Sequence, residues 1–376
     1  MKKIILAPDS FKGTMSSIKI CSIMESKIKK HFQQAQIVKI PVADGGEGTV
    51  ECFLEALGGK RKVLKVSGPF FDEVDSFYGI LPDNRTAVIE MAAASGLPLA
   101  GSRMNPALST TYGVGQLILD ALENGCRRFI LGLGGSCTND GGTGMAAALG
   151  VKFHTADGME FIPVGGTLNR IARIDISGME RDLQCCEFIG MCDVDNPLCG
   201  EHGASAVYGP QKGASPEDVK FLDENLAYFA DVLKDQLDKD IALVPGSGAA
   251  GGLGAGILSF LSANLRSGIN TILETVGFDE LLGGADIVFT GEGKLDGQSL
   301  RGKVVLGVAA RARRKNVPVV AVVGDIGENI EEVYSGGISA VVSINRVAVP
   351  FSEAALRCET DLADTMDMIM HLLRLK

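Results

Sequence analysis

The sequence predicts an α/β protein of two domains, at least one of them a doubly wound sheet of parallel strands. Three observations carry that expectation. Short apolar runs of strand length alternate with amphipathic stretches of helix length near both ends of the chain, which is the pattern of βαβ units. Several of those runs are followed by loops that combine glycine with Asp, Glu or Lys, and open parallel sheets bind ligands outside the carboxyl ends of their strands. At 376 residues the chain is also longer than one ordinary core requires.

Taken in order, Ile4 to Ala7 is the first strand. The lysines and apolar residues of MKKIILAPDSFKG give it the superficial look of a signal peptide. Asp9 and Lys12 cut the apolar run below the length of a secretory h-region, so a cytoplasmic protein is expected. Thr14 or Ser16 can cap the helix that follows, with Ile20, Met24 and Ile28 toward the core. Ile37 to Val42 is a second strand and runs into ADGGEGT. Glu47 to Leu57 then forms a helix ended by Gly58 and Gly59, and Val63 to Val66 starts a further strand. Near the other end, DIVFT (Asp286 to Thr290) precedes GEGKLDGQSLRGK, and PVVAVV (Pro318 to Val323) precedes GDIGEN. Ala340 to Ile344 adds a strand and Glu353 to Leu375 a closing amphipathic helix. Neither end holds enough strands for a domain of its own. Residues 1–66 and 285–376 are therefore expected to form one discontinuous domain, with 67–284 inserted as a second.

The insert holds strands near Phe77 to Leu81, Thr86 to Met91 and Glu187 to Cys192. A long helix begins where Ser215 caps, Pro216 takes the first position and Glu217 and Asp218 suit the dipole. Its most suggestive stretch is RFILGLGGSCTNDGGTGMAAALG, Arg128 to Gly150 with a short apolar run first. Six glycines crowd between Gly132 and Gly144, and helix formers follow from Thr143. Strand, glycine loop and helix start can aim backbone N–H groups at an anion, and the same layout also serves as a tight turn between packed elements.

Composition narrows the chemistry. A net charge of -10 without a dense Lys/Arg run argues against nucleic acid or an anionic membrane, and no apolar run spans a bilayer. Nine cysteines without framework or CxxC spacing read as free thiols, and the four histidines form no cluster. GSGAAG at Gly246 satisfies GxGxxG but follows Pro245 rather than a clean strand and lacks the ribose-binding acid. Gly297 to Lys303 resembles a P-loop but places Val304 where Ser or Thr should bind magnesium. In DVDN, Asp193 and Asp195 share a face if the chain is extended, so they can hold Mg²⁺ or take a proton; Asx-turn chemistry before Pro197 explains them equally well. Glu292 and Asp296 pose the same choice. Charges and glycine cradles without His or Cys chemistry suit phosphoryl transfer, which rests on positioning and charge stabilisation.

The motifs APDSFKG, VPVADGGEGT, EMAAASGL, NPALSTTYG, GLGGSCTNDGGTGMAAALG, CDVDNPLCG, GPQKGA, PGSGAAGGLGAG and TGEGKLDGQSLRGK resemble, in order, the motif series of bacterial glycerate kinases. The type is the two-domain one similar to glycerate 2-kinases of glycolate and glucarate breakdown. Cys137 is the one departure, and it touches no proposed role. The resemblance implies a flavodoxin-like domain beside a second, inserted α/β domain, with the active site in the cleft between the domains. It implies ATP-dependent phosphorylation of D-glycerate with Mg²⁺, the 2-position being favoured.

Site roles follow from chemistry. ATP phosphates are expected at backbone N–H groups of Gly134 to Gly142, with Gly134, Gly135, Ser136, Asn139 and Asp140 as contacts, or at Gly246 to Gly252, with Gly251 and Gly252. The glycerate is expected at Lys12, with Ser10, Asp44 and Arg103 near it. Asp193 or Asp195 takes the hydroxyl proton or holds Mg²⁺, with Glu292 and Asp296 as further metal ligands. Lys212, Lys294 or Lys303 offsets phosphoryl charge. The rival readings are a nicotinamide-dependent dehydrogenase built on Gly246 and a non-catalytic small-acid sensor. A homodimer is one assembly the sequence accommodates.

Overall fold

The structure, a computed structural model, describes residues 1–296 and 304–375. Its strands in chain order are β1 (Lys3–Pro8), β2 (Gln36–Lys39), β3 (Lys60–Ser67), β4 (Glu73–Ile80), β5 (Thr86–Glu90), β6 (Arg128–Gly132), β7 (Lys152–His154), β8 (Glu160–Phe161), β9 (Arg173–Asp175), β10 (Glu187–Met191), β11 (Asn264–Arg266), β12 (Ile287–Gly291), β13 (Lys294–Leu295), β14 (Val319–Val323), β15 (Asp325–Ile326) and β16 (Ala340–Ser343). The chain divides into two units. Unit 1 holds Met1–Ala43, Glu51–Gly58 and Ile269–Lys376; unit 2 holds Asp44–Val50 and Gly59–Gly268.

Unit 1 is built on a five-stranded sheet of order β16-β14-β12-β1-β2, parallel throughout. Numbered within the unit this is order 2-1-3-4-5, the flavodoxin-like doubly wound sheet. Parallel strands covered on both faces must be apolar along their whole length, and Ile4, Ile5, Leu6 and Ala7 of β1 are all fully buried. Ile4 and Leu6 join Phe289 and Val322 in a core completed by Ile20, Met24, Leu362 and Met366. Those last four come from the helices Ser17–His31 and Phe351–Leu373. Ser16 caps the first of them by accepting from the Lys19 N–H.

Unit 2 holds a six-stranded sheet, β11-β10-β6-β5-β4-β3, parallel from β11 to β5 and antiparallel from β5 to β3. Phe129 and Phe188 on adjacent strands stack with centroids 4.7 Å apart at the centre of its core. A second core, around Phe153, Leu226 and Phe229, seats the helix Pro216–Leu237. That helix starts as its sequence dictates: the Ser215 hydroxyl accepts from the Asp218 N–H and the Asp218 carboxylate bonds the Ser215 N–H in return.

Three segments lie differently from the sequence-based boundaries. β3 belongs to the unit 2 sheet, because it pairs antiparallel with β4 along eight residues through a tight connection closed by Gly68 N–H to Asp72 O at 2.6 Å. A hairpin closes a far shorter loop than a return to the distant first strand would. Residues 44–50 also join unit 2, where the Gly134 N–H donates to Gly45 O at 3.0 Å. Residues 269–284 go instead with unit 1. No helix among the described residues is long and apolar enough to cross a membrane.

Candidate active site

In unit 2, three glycine-rich loops meet on one another. A Cβ on Gly134 would lie 2.6 Å from the Gly46 Cα, and one on Gly251 would lie 1.9 Å from the Thr138 carbonyl oxygen. Gly251 and Gly252 both have positive φ, and Ala250 shares it at 54°. These glycines let backbones approach; a side chain at Gly251 has no room and the wrong conformation. The loops so packed are 44–48, 134–142 and 246–252, and residues of all three line one cavity together with a buried amine.

That amine is Lys212, 1% exposed, on the single turn Pro210–Lys212. Its Nζ donates to the Ser136 hydroxyl at 2.8 Å and to the Thr138 carbonyl at 2.7 Å. Burial lowers its pKa from the ordinary 10.5 to about 8, against the opposing pull of Cys137 and Asp140. An ammonium carries three donors, so two fixed bonds hold the group in place without using it up. A cavity of about 230 Å³ opens here, lined by Lys212, Ser136, Gly134, Asp44, Asp193 and Tyr208 among others. The Asp193 carboxylate accepts from the Gly268 N–H at 2.8 Å, and Tyr208 donates to the Asn196 amide oxygen at 2.6 Å. Asn196 in turn donates to His202 O at 2.9 Å, which makes it the residue that holds the DVDN turn.

Asp140 has a different task. Its fully buried carboxylate accepts from Thr111 N–H and Oγ, both at 2.8 Å, and from the N–H groups of Gly142 and Gly144 at 3.1 and 3.2 Å. Burial pushes its pKa up while these bonds hold it down. It thereby satisfies the first turn of the helix Thr143–Ala148 with a protein carboxylate. Asn139 is equally buried; its amide donates to the Ser205 hydroxyl at 3.0 Å, and its Oδ1 has no partner.

In unit 1 a larger cavity, about 560 Å³, opens where β1, β12, β14 and β16 end. Asp9, Ser10 and Lys12 reach it from the loop after β1, and Glu292 and Lys294 from the loop after β12. The Ser10 N–H donates to the Asp9 carboxylate at 2.6 Å, and a bridge between Phe11 and Met15 folds the loop back on itself.

The expected site residues therefore fall into three groups. Gly134, Gly135, Ser136, Lys212, Asp44 and Asp193 line one cavity; Ser10, Lys12, Lys294 and Glu292 line the other. The rest line neither. Asp195 is exposed on the DVDN turn, and Gly251, Gly252, Asn139 and Asp140 are buried within the loops themselves. Arg103 is exposed and bonds Asp72 at 2.8 Å over the face of Phe70. Lys303 lies outside the described residues. No group of three or more His, Cys, Asp or Glu suited to a metal occurs among the described residues. Tyr208, Asn345 and Phe351 line cavities yet were not singled out from the sequence. The signal for Asn345 was its place just beyond the carboxyl end of β16.

Fold and cavities together define a doubly wound α/β protein with one cavity at strand ends and another beside a buried amine. The chain belongs to the glycerate kinase family, whose model matches residues 4–374. It is 47% identical to a glycerate kinase of Halalkalibacterium halodurans, over 92% of this chain and 91% of the relative. It is 45% identical to the glycerate 2-kinase of Escherichia coli K12, over 91% and 90%. A crystal structure of a provisionally assigned glycerate kinase 2 from Salmonella typhimurium LT2 superposes with a TM-score of 0.89 at 39% identity, covering 100% of this chain and 98% of that one.

Proposed function

We propose that this chain is a cytoplasmic phosphotransferase that moves the γ-phosphoryl group of ATP to D-glycerate, at the 2-hydroxyl. Family membership supports the activity, and the relative from Escherichia coli supports the 2-position. The observation that carries the reading to particular residues is the buried Lys212 amine fixed beside a cavity of acid-sized volume. Transfer of a phosphoryl group concentrates negative charge, and a cation already desolvated and held in place stabilises that charge without reorganising. Entry of the anion also favours the charged form of an amine whose pKa burial has brought to about 8. The acceptor oxygen of glycerate bonds to the γ-phosphorus, the bond to the leaving ADP oxygen breaks, and the hydroxyl proton passes to a carboxylate. Asp193, oriented by the Gly268 N–H, is that carboxylate in this reading.

Mg²⁺ belongs to the proposal rather than to the described geometry. Kinase magnesium keeps several waters and takes one or two carboxylates besides the substrate phosphates. Asp44, which lines the cavity of Lys212, fits that demand as the one protein carboxylate; a closed protein cage is not required. The ion would neutralise charge on the phosphates. The test is formation of ADP from ATP with D-glycerate and Mg²⁺ present, with the product offered to enolase alone. Enolase consumes 2-phosphoglycerate directly, so a product that also needs a mutase would move the acceptor to the 3-position. Turnover independent of glycerate would reject the assignment.

A further inference from the structure

We infer that the large cavity of unit 1, at the carboxyl ends of β1, β12, β14 and β16, is the adenosine site, with the base against the wall formed by Ile344, Val349 and Phe351. The inference rests on the kinase reading for the identity of the nucleotide, and on four observations for its place. The first is topological. In a sheet of order 2-1-3-4-5 the connections leave β1 and β12 in opposite directions, and ligands lodge in the crevice this reversal opens. Asp9 and Glu292, which directly follow those two strands, both line the cavity.

The second is size. Sites for drug-sized molecules occupy about 300–1,000 Å³. The unit 1 cavity, at about 560 Å³, lies inside that range, and the Lys212 cavity, at about 230 Å³, lies below it. Of the two substrates, only the nucleotide needs the larger space. Glycerate alone at Lys12 and Ser10 would leave most of it unfilled.

The third is the apolar wall. Ile344, Val349, Phe351, Ala354 and Ala355 present carbon to the cavity, and Phe351 is 72% exposed. A three-carbon hydroxy acid gains nothing from such a wall, whereas a purine face gains both burial and stacking. The fourth is the placement of polar groups. Asn345, next to that wall, offers a carbonyl acceptor and an amide donor, the complement of the donor and acceptor on the edge of adenine. Lys12 and Lys294, on the loops after β1 and β12, supply cations suited to the diphosphate.

The test uses the full-length protein and a fluorescent methylanthraniloyl ADP as the probe, titrated with Mg²⁺ present. Ala355→Trp fills the cavity and should raise the probe's Kd by at least about tenfold. Asn345→Ala removes one hydrogen-bonding side chain and should raise it about three- to tenfold. In steady state both should raise the KM for ATP and leave that for D-glycerate unchanged. Should Ala355→Trp fail to fold by circular dichroism, Asn345→Ala and Phe351→Ala, both at exposed positions, decide the question. Unchanged probe affinity in these variants overturns the inference. So does a raised KM for glycerate with ATP unaffected, which would return the cavity to the acid. Failure of the kinase reading looks different: the wild type would then form no phosphoglycerate, whatever the probe titration shows.

Discussion

In unit 1 a cavity lies where parallel strands end together, whereas in unit 2 one is lined by three glycine loops that pack on one another and by a buried amine. The first kind of site follows from topology. Its lining includes residues at loops and a helix start whose side chains are largely exposed, such as Lys12, Asn345 and Phe351. The second kind follows from close backbone packing, and its central group, Lys212, is held by two bonds at 2.8 and 2.7 Å in a setting with no room for a Cβ on Gly251. A strand-end site can change its lining without disturbing the sheet. A site packed at backbone contact cannot, and it repays that rigidity with an electrostatic environment water would otherwise screen. The two units should therefore respond to mutation in different kinetic constants: unit 2 in kcat, unit 1 in KM.

The strongest way to break this contrast is Lys212→Met, which keeps the length and the apolar stem and deletes the charge. Removal of one preorganised group that stabilises transition-state charge typically costs 10²–10³ in kcat, so a fall of about 10³ is expected here. Circular dichroism should show an intact fold. A variant with near-normal kcat would mean that the buried amine serves packing alone.

Asp193→Asn comes next. It retains an oxygen for the Gly268 N–H and loses the capacity to take a proton or to pair with a cation. A fall in kcat of about a hundredfold is expected, the lower end of the range for positioned acid–base groups. Asp195→Asn, at an exposed position that lines neither cavity, should stay within about threefold of the wild type. Equal losses in both variants would show that the turn acts as a unit and that the cavity lining does not identify the carboxylate.

A smaller effect sharpens the electrostatic side of the contrast. With Lys212 near 8, kcat/KM should fall about tenfold per pH unit above that value, because the amine loses its charge before substrate binds. Stability should move the other way. The native pKa lies below the ordinary 10.5, so between about pH 8 and 10.5 the unfolded chain holds the proton longer than the native one. The unfolded state then binds more protons, and stability from this group rises with pH across that window. Denaturant unfolding of wild type and Lys212→Met at pH 8 and pH 10 checks the sign: the wild type should gain on the variant at the higher pH. Parallel behaviour of the two proteins would show that no charge is buried at this position.

Much of unit 1 was legible because its signals are local and physical. All-apolar strands such as Ile4 to Ala7 mark a parallel sheet covered on both faces, and Ser16 and Ser215 announce their helices. The order of the sheet was reached only through family resemblance, since nothing in a strand's own sequence says which neighbour it takes. β3 pairs in unit 2, against the expected boundary, because VSGPFFDEVD forms a hairpin whose turn carries little sequence signal: it uses a positive φ at Phe71, a residue that rarely adopts it. The glycine loops were recognised, with anion binding and close packing as alternatives for them. Sequence shows that Gly134 and Gly251 lack side chains, and only the fold shows that the missing Cβ makes room for backbone. Asp140 illustrates the same gap: a carboxylate in a glycine loop looks like a ligand contact, and in the structure it closes the start of its own helix.

The smallest expected effect tests whether ligand binding is confined to the two cavities. Arg103, between the motifs EMAAASGL and NPALSTTYG, is an expected partner for the glycerate carboxylate. The structure instead pairs it with Asp72 at 2.8 Å and lays its guanidinium 4.8 Å above the ring of Phe70, with half of the side chain exposed. The Asp72 carboxyl is held below its usual range chiefly by that bond. Exposed ion pairs are worth about 0–1 kcal/mol and exposed cation–π contacts about 0.5–1 kcal/mol. Arg103→Ala should thus cost on the order of 1 kcal/mol in stability, visible as a small drop in Tm. The kinetic constants for ATP and D-glycerate should remain within about twofold, since no bond to either cavity is lost. A rise of about tenfold or more in the KM for glycerate, with Tm unchanged, would mean that the guanidinium leaves Asp72 to meet the acid. The exchange is energetically open, because a carboxylate of the substrate can replace one of the protein at little net cost. Such a result would add a third, surface-borne binding group and end the simple division of labour between a strand-end cavity and a loop-packed one.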